Sequence, residues 1–279
     1  MKTYTLNNGI KMPRFGLGTF MVGQNESAYD IVKTALKIGY RHIDTAQAYG
    51  NEKDIGRAIR DSGIPRGEIF VTSKLKGHKD GDMKQVEAAL EKSLKDLDIG
   101  YIDLMLIHWP NPDNDINVQI WQVFEKFYEK GVFKAIGVSN FLIHHIDYLL
   151  KFSKVHPAAN QVECHPILTQ IVLEKYLKTN DIQMISYGPF ARGQVFEEPT
   201  KGKLEAIAKH YGASITQLII AWGLKRGIAM IPKSVHEDRL IENFKGQDIV
   251  LTDEDVEKIN DLNRGRRLYS DPDNNINYK

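Results

Sequence analysis

Apolar residues recur along this chain in two alternating rhythms. Short, nearly continuous runs read FGLGTF (15–20), YRHIDT (40–45), IFVTSK (69–74), IDLMLIH (102–108), KAIGVS (134–139), ANQVEC (159–164), QMISYG (183–188) and AMIPKS (229–234). Between them lie longer runs whose apolar positions return every three or four residues. These are ESAYDIVKTALKIG, EKDIGRAIRDSG, MKQVEAALEKSLKDLD, VQIWQVFEKFYEKG, HIDYLLKFS, LEKYLKTN, and LEAIAKHYG with its continuation ITQLIIAWGLKRG. The first rhythm fits strands buried on both faces and the second fits amphipathic helices. Gly39, Gly63, Gly131 and Gly227 stand where helices should stop. Two more helices follow the last strand: EDRLIENFKG, then TDEDVEKINDLNR with Thr252 as its N-cap and acids in its first turn.

Eight strands, each followed by a helix, predict an α/β fold with a parallel sheet covered by helices. Eight such units close into a (β/α)8 TIM barrel. YTLNN-G-IKMP predicts an N-terminal β-hairpin before the barrel, and the last helix is an extra C-terminal one. A doubly wound sheet would carry a glycine-rich fingerprint after its first strand. Gly16 and Gly18 begin one, but Met21 stands at the third glycine position. We therefore expect residues 1–279 to form a single barrel domain.

Composition narrows the function classes. Of the 279 residues, 42% are hydrophobic and 26% charged, which suits a large globular core. Lys+Arg number 37 and Asp+Glu 36, so the net charge of +1 gives no electrostatic case for nucleic acid or a membrane surface. No apolar run reaches the roughly 18 residues that a membrane span needs, and the N-terminus has no signal-like apolar segment. The lone Cys164 excludes an internal disulfide and a cysteine zinc cluster. The expectation is a cytoplasmic protein with no metal.

In a parallel barrel the site forms where strands end. Polar residues there are Asp44 with Tyr49 just beyond, Lys74, His108, Ser139 with Asn140, Gln161 with Glu163, Tyr187, and Lys233 with Ser234. Each has an ordinary structural alternative: a cap, a packed ring, a solvated lysine, a satisfied core histidine. Four acid–base groups meeting at one mouth weigh against coincidence. A tyrosine near pKa 10 is a poor proton donor at neutral pH. A nearby Lys74 cation should lower that value, and Asp44 should keep Lys74 charged and aimed. His108 would bond the substrate oxygen beside Tyr49. Such a device serves an oxygen that gains negative charge, as in carbonyl reduction, which also requires a hydride source.

IPKSVHEDRLIENF (231–244) offers a place for that source. Lys233, Ser234 and Arg239 form a compact set for a terminal phosphate. Its alternative is an exposed helix in which Arg239 pairs with Glu242 or Asn243.

GYRHIDTAQAYGNE, LMLIHWP, AIGVSNF, NQVECHP and IPKSVHEDRLIEN, in this order and over nearly the whole chain, resemble the aldo-keto reductases. The resemblance implies a barrel that binds NADPH (or NADP+) and reduces aldehydes or ketones. It implies Tyr49 as proton donor with Asp44, Lys74 and His108 as partners. Ser139, Asn140 and Gln161 would hold the nicotinamide amide, and Tyr187 would stack on its ring. Lys233, Ser234 and Arg239 would take the 2′-phosphate, Glu242 and Asn243 the adenine. Trp109 and Phe20 would wall the substrate pocket.

Two positions depart from the commonest pattern: Phe20 where many members carry tryptophan, and Gly188 where many carry serine. The segment NPDNDIN after His108 is short, and so is the tail after Arg264. Both resemble small prokaryotic members, many of them monomers, that reduce aldehydes, dicarbonyls or keto-sugars. A nucleotide-sensing barrel and a metal-dependent barrel hydrolase are competing classes. The first has no use for a lysine-tuned phenol. The second needs clustered ligands that His108, the adjacent His144 and His145, and His165 do not offer in sequence.

Overall fold

The computed structural model describes residues 2–24, 26–77 and 81–274, so 275–279 of the short tail lie outside the described residues. Thr3–Thr5 (β1) and Lys11–Pro13 (β2) pair as an antiparallel hairpin. Eight strands then form one parallel sheet in sequence order: β3 (Leu17–Gly18), β4 (His42–Asp44), β5 (Phe70–Leu75), β6 (Ile102–Ile107), β7 (Phe133–Ser139), β8 (Ala159–Glu163), β9 (Gln183–Tyr187) and β10 (Ala229–Met230).

The ring closes at a seam between the two shortest strands. Gly16 N–H donates to Met230 O at 2.9 Å, Met230 N–H to Arg14 O at 3.0 Å, and Gly18 N–H to Pro232 O at 3.1 Å. A Cβ on Gly18 would come within 2.7 Å of Ile231 O, so the seam needs glycine for a close backbone approach. The runs FGLGTF and AMIPKS therefore yield only short strands. Their remaining residues leave the ladder to build the rim.

The helices α1 (Ala28–Ile38), α2 (Glu52–Arg60), α3 (Met83–Leu97), α4 (Asn114–Glu129), α5 (Ile143–Leu150) and α6 (Ile171–Thr179) follow β3 to β8 in turn. Two helices, α7 (Thr200–His210) and α8 (Ile215–Lys225), link β9 to β10, and α9 (Glu237–Lys245) and α10 (Asp253–Asn260) follow β10. The apparent continuation from LEAIAKHYG into ITQLIIAWGLKRG is a break. Ser214 caps α8, its hydroxyl accepting from Gln217 N–H while Gln217 Oε1 accepts from Ser214 N–H.

Gly39 caps α1 in a left-handed conformation, but α2 ends at Arg60 with Asp61 as its cap, two residues before Gly63. Gly131 and Gly227 follow the caps Lys130 and Arg226. Asn114 to Asn117, read as loop, form the first turn of α4 because Asp113 accepts from Asp115 N–H. The connection after His108 is therefore shorter than the sequence suggests.

Side chains on alternate strand positions feed two cores. Leu104 and Leu106 of β6 join an inner cluster with Phe70, Ala135, Ala159 and Ile185, while Met105 and Ile107 pack outward with the helices. Leu6 and Met12 from the hairpin belong to the inner cluster, so the hairpin plugs the N-terminal end of the barrel. Each such fully buried aliphatic contributes about 1.5–3 kcal/mol. The opposite end, where the strands finish, is left to polar groups. Among the described residues no helix is long and apolar enough to cross a membrane.

Candidate active site

The site is built on the exits of β4 and β5. Asp44 ends β4 and is 2% exposed. On β5 the inward positions Phe70, Thr72 and Lys74 alternate with Ser73, whose hydroxyl points out to Glu52 at 2.6 Å. Parallel register sets Asp44 beside Thr72, so Lys74 stands one layer nearer the mouth. Lys74 Nζ donates to Asp44 Oδ1 at 2.5 Å, to Thr45 O at 2.8 Å and to Tyr49 Oη at 3.4 Å. Its ammonium also lies 5.0 Å from the Tyr49 ring centre.

Tyr49 ends a 3-10 turn, Gln47–Tyr49, that is pinned from both sides. Gln47 donates to Ala89 O and Ser93 Oγ and accepts from Lys76 N–H. Asn51 accepts from the Thr45 hydroxyl at 2.7 Å and donates to Thr19 O and Val22 O. Neither Gln47 nor Asn51 stood out in the sequence as a support for the phenol. Both belong to the quoted stretch that leaves β4, which was the available signal.

His108 follows β6, and its ring lies edge-on to Tyr49 with centres 5.7 Å apart. The Phe20 ring approaches Tyr49 from another side at 5.2 Å, 47% exposed on the rim. Trp109 lines the same cavity. Gln161 Nε2 donates to Asp44 Oδ2 at 2.6 Å, so Gln161 also braces the carboxylate. Asn140 takes a left-handed turn at φ 65° as it leaves β7. This returns its amide to His108 O at 2.9 Å and Ser139 Oγ at 3.1 Å. The Tyr187 hydroxyl donates to Asn140 Oδ1 at 2.7 Å. Asp44, Tyr49, His108, Trp109, Ser139, Asn140, Gln161, Tyr187 and Phe20 thus line one cavity of 570 Å³, with the Lys74 ammonium beneath it.

Burial pushes Asp44 up and Lys74 down, and each shift is opposed by the partner's charge. With the carboxylate and the ammonium both fully bonded, the pair stands as an ion pair. Tyr49 departs from expectation. Burial first, then the Asp44 charge, pushes its phenol well above the ordinary value of 10.0. Lys74 does not lower it because Asp44, at 2.5 Å, neutralises most of the ammonium's field. His108 is half-buried, and burial followed by the Lys74 charge pushes it down to about 3, so its imidazole is neutral.

A second cavity of 480 Å³ adjoins the first and is lined by Lys233, Ser234, His236, Arg239, Glu242 and Asn243, among others. The paired-helix alternative fails here. Glu242 accepts from the Thr216 hydroxyl at 2.8 Å, and neither Arg239 nor Lys233 has an acidic partner among the described residues. Two cations with no acidic partner among the described residues, beside a buried hydroxyl, suit a phosphate ester.

The fold also supplies contacts that the sequence did not announce. Tyr269 from the C-terminal segment enters the first cavity, its ring edge-on to Tyr187 at 5.1 Å. Gly188 has φ +60°, and a Cβ there would lie 2.8 Å from Tyr269 Cε2, which accounts for glycine in place of serine. Asp273 reaches His144 Nε2 at 3.0 Å and His145 Nε2 at 3.4 Å, so this histidine pair does have a carboxylate neighbour. His145 Nδ1 accepts from Leu142 N–H, which leaves the proton on Nε2 and makes that nitrogen a poor metal ligand. His165 bonds the buried Glu163 instead of a ligand set.

A carboxylate, an ammonium and a phenol in contact at the mouth of a parallel barrel suit proton transfer, and the class they point to is a barrel enzyme rather than a binding scaffold. The family model described as "Aldo/keto reductase family" matches residues 14–264, and the chain belongs to that family. It is 44% identical to the glyoxal reductase of Bacillus subtilis (strain 168), over 97% of this chain and 96% of that one. Among solved structures, MGS-M4, an aldo-keto reductase from a Medee basin deep-sea metagenome library, is 44% identical with a TM-score of 0.93, covering 98% of this chain and 99% of the other. The Bombyx mori aldo-keto reductase, solved in complex with NADP, is 34% identical with a TM-score of 0.89, covering 96% and 95%.

Proposed function

We propose that this chain reduces small aldehydes and dicarbonyls to alcohols with NADPH, with Tyr49 as proton donor. The observation that carries the reading is the Lys74 ammonium, 3.4 Å from the Tyr49 hydroxyl and 2.5 Å from Asp44, under an open cavity. The donor set fits the cofactor: free Lys233 and Arg239 with Ser234 for a 2′-phosphate, Glu242 and Asn243 beside them for adenine, and Ser139, Asn140, Gln161 and Tyr187 for a nicotinamide. When bound, the reduced dinucleotide supplies hydride to the carbonyl carbon.

The chain's own groups handle the oxygen. Tyr49 Oη–H and the neutral His108 ring meet the carbonyl oxygen from two sides, and Tyr49 releases its proton as negative charge develops there. Lys74 faces the resulting phenolate, and Asp44, braced by Gln161, holds Lys74 in place. The short connection after His108 and the cavity size favour small substrates, as does a relative named glyoxal reductase. The buried single cysteine, Cys164, is consistent with a reducing, cytoplasmic setting, and we read residues 1–279 as one monomeric barrel domain.

The test is Tyr49→Phe. Removing a general acid should cut turnover of methylglyoxal by about 10²–10⁴-fold, with NADPH affinity by fluorescence titration unchanged. Turnover at the parent rate would refute the assignment. Arg239→Ala should weaken NADPH far more than NADH, and equal losses would refute the 2′-phosphate site.

A further inference from the structure

Lys74 and Tyr49 belong to different supports. Lys74 is carried by β5, and Tyr49 by the turn Gln47–Tyr49, yet their reactive atoms stand 3.4 Å apart. Groups that exchange a proton must be held within about 0.5 Å of the productive geometry. Something has to fix the strand and the turn against each other.

On the helix side of β5 one carboxylate is linked to both. Glu52 opens α2 and is only 4% exposed. Its Oε1 accepts from the hydroxyl of Ser73, the residue before Lys74, at 2.6 Å. Its Oε2 accepts from the Ser93 hydroxyl of α3 at 3.2 Å. Ser93 Oγ in turn accepts from Gln47 Nε2 at 2.9 Å, and Gln47 Oε1 accepts from Lys76 N–H at 2.9 Å, just past β5. The bonds therefore run from β5 through α2 and α3 to the turn that carries Tyr49, and close on β5 again. Both serines are fully buried.

An acid in the first turn of a helix is common, and at the surface it favours the helix dipole. Glu52 is buried instead, and no ion pair joins it to a described cation; Lys92 of α3 bonds Asp96. Burial pushes its carboxyl up, and the Ser73 and Ser93 bonds oppose that. Keeping a carboxylate in such a place is costly. What it offers is two acceptor oxygens and no proton of its own. Both serines must then donate to Glu52, which leaves the Ser93 oxygen to accept from Gln47.

We propose that Glu52 is a positioning residue for the reduction: its carboxylate spans Ser73 and Ser93 and so holds the strand that carries Lys74 and the turn that carries Tyr49 in fixed relation. Glu52 does not line the cavity, so it acts through these bonds and not on the substrate. The inference rests on Tyr49 as proton donor, and the experiment keeps the two readings apart.

The readout is the single-turnover rate constant for NADPH oxidation in stopped flow, with enzyme in excess over NADPH and methylglyoxal saturating. Every NADPH is then bound, so unfolded protein does not dilute the rate constant. An amide oxygen can accept from one serine and its nitrogen from neither, so Glu52→Gln should slow this rate constant by about 10–100-fold. The dissociation constant for NADPH and KM for methylglyoxal should stay near parent values. Glu52→Asp keeps the charge but is too short for both serines, and it should be slow as well. Ser93→Ala should be slowed less, and the double variant Glu52→Gln with Ser93→Ala should be less impaired than the product of the two effects.

If Glu52→Gln lowers the melting temperature and leaves the rate constant at the parent value, Glu52 is structural only and the assignment falls while reduction itself stands. If Glu52→Asp keeps the parent rate constant and only Glu52→Gln slows, the charge acts and not the span, and the assignment is again wrong. If Glu52→Gln does not fold, Ser93→Ala decides: a parent rate constant there overturns the proposal. If the parent protein consumes no NADPH with methylglyoxal or nitrobenzaldehyde, or Tyr49→Phe matches it, the reductase reading fails and takes this one with it.

Discussion

Tyr49 shows how an environment reverses a simple electrostatic expectation. A lysine 3.4 Å away suggests a lowered phenol, yet the lysine's own counter-ion is closer to it than the phenol is. The net field is small and burial prevails, so the hydroxyl keeps its proton through the neutral range. For a proton donor this is the useful form. His108, held to about 3, likewise does not change charge near neutrality. Reduction at saturating substrate should therefore stay level between roughly pH 5 and 8, with no histidine limb. It should decline only above the ordinary tyrosine value of 10.0, where loss of the proton removes the proposed acid. A pH–rate profile with an inflection near 6.5 would mean that a histidine titrates in the reactive complex. Asp44, Tyr49, Lys74 and His108 were legible in the sequence because each sits at or just past a strand end. Tyr269 was not, because it enters the cavity from a segment that no local pattern connects to the strand ends.

The helices and strands were legible mostly through periodicity, and the misreadings occur where a side chain decided the boundary. Ser214 and Gln217 start a new helix inside an apolar run that reads as continuous. Asp113 draws four residues of apparent loop into α4. At the seam, the apolar run around β3 reads as a six-residue strand, but only Leu17–Gly18 pair as one, since the ring must close against β10 at backbone distance. Gly18→Ala tests this. Its Cβ would meet the Ile231 carbonyl at 2.7 Å, and backbone cannot yield as a side chain would. Overpacking of this kind costs about 1–3 kcal/mol. The thermal midpoint should fall by about 2–4 °C per kcal/mol for chains near this size. Because the neighbouring Thr19 and Phe20 belong to the rim, KM for the carbonyl substrate should rise as well. A variant with the parent melting point would show that the seam is looser than this geometry.

For the molecule as a whole, acid sensitivity follows from histidines folded in neutral form. His42 is fully buried within the barrel, bonded to Thr72, and burial pushes it down to about 3. His145 is pushed down to about 4 by burial and then by the His144 charge, with Asp273 opposing. With His108 at about 3, all three lie below the ordinary 6.5. The unfolded chain therefore takes up protons at a pH where the folded chain does not. Stability is fully present above about 6.5 and is lost as pH falls towards 4. Thermal midpoints measured from pH 7 to pH 4 should drop progressively, and a flat series would contradict the buried neutral histidines. From the chain alone came the eight strand–helix units and the polar residues at the strand ends to which the chemistry is assigned in the proposal. Periodicity and residue type are local properties that survive in one dimension. Closure at the Gly18 seam, the lack of an acidic partner for Lys233 and Arg239 among the described residues, the raised Tyr49 phenol, and the entry of Tyr269 into the cavity came from the fold. Each depends on distance and burial between segments remote in sequence, which arise only once the chain has packed.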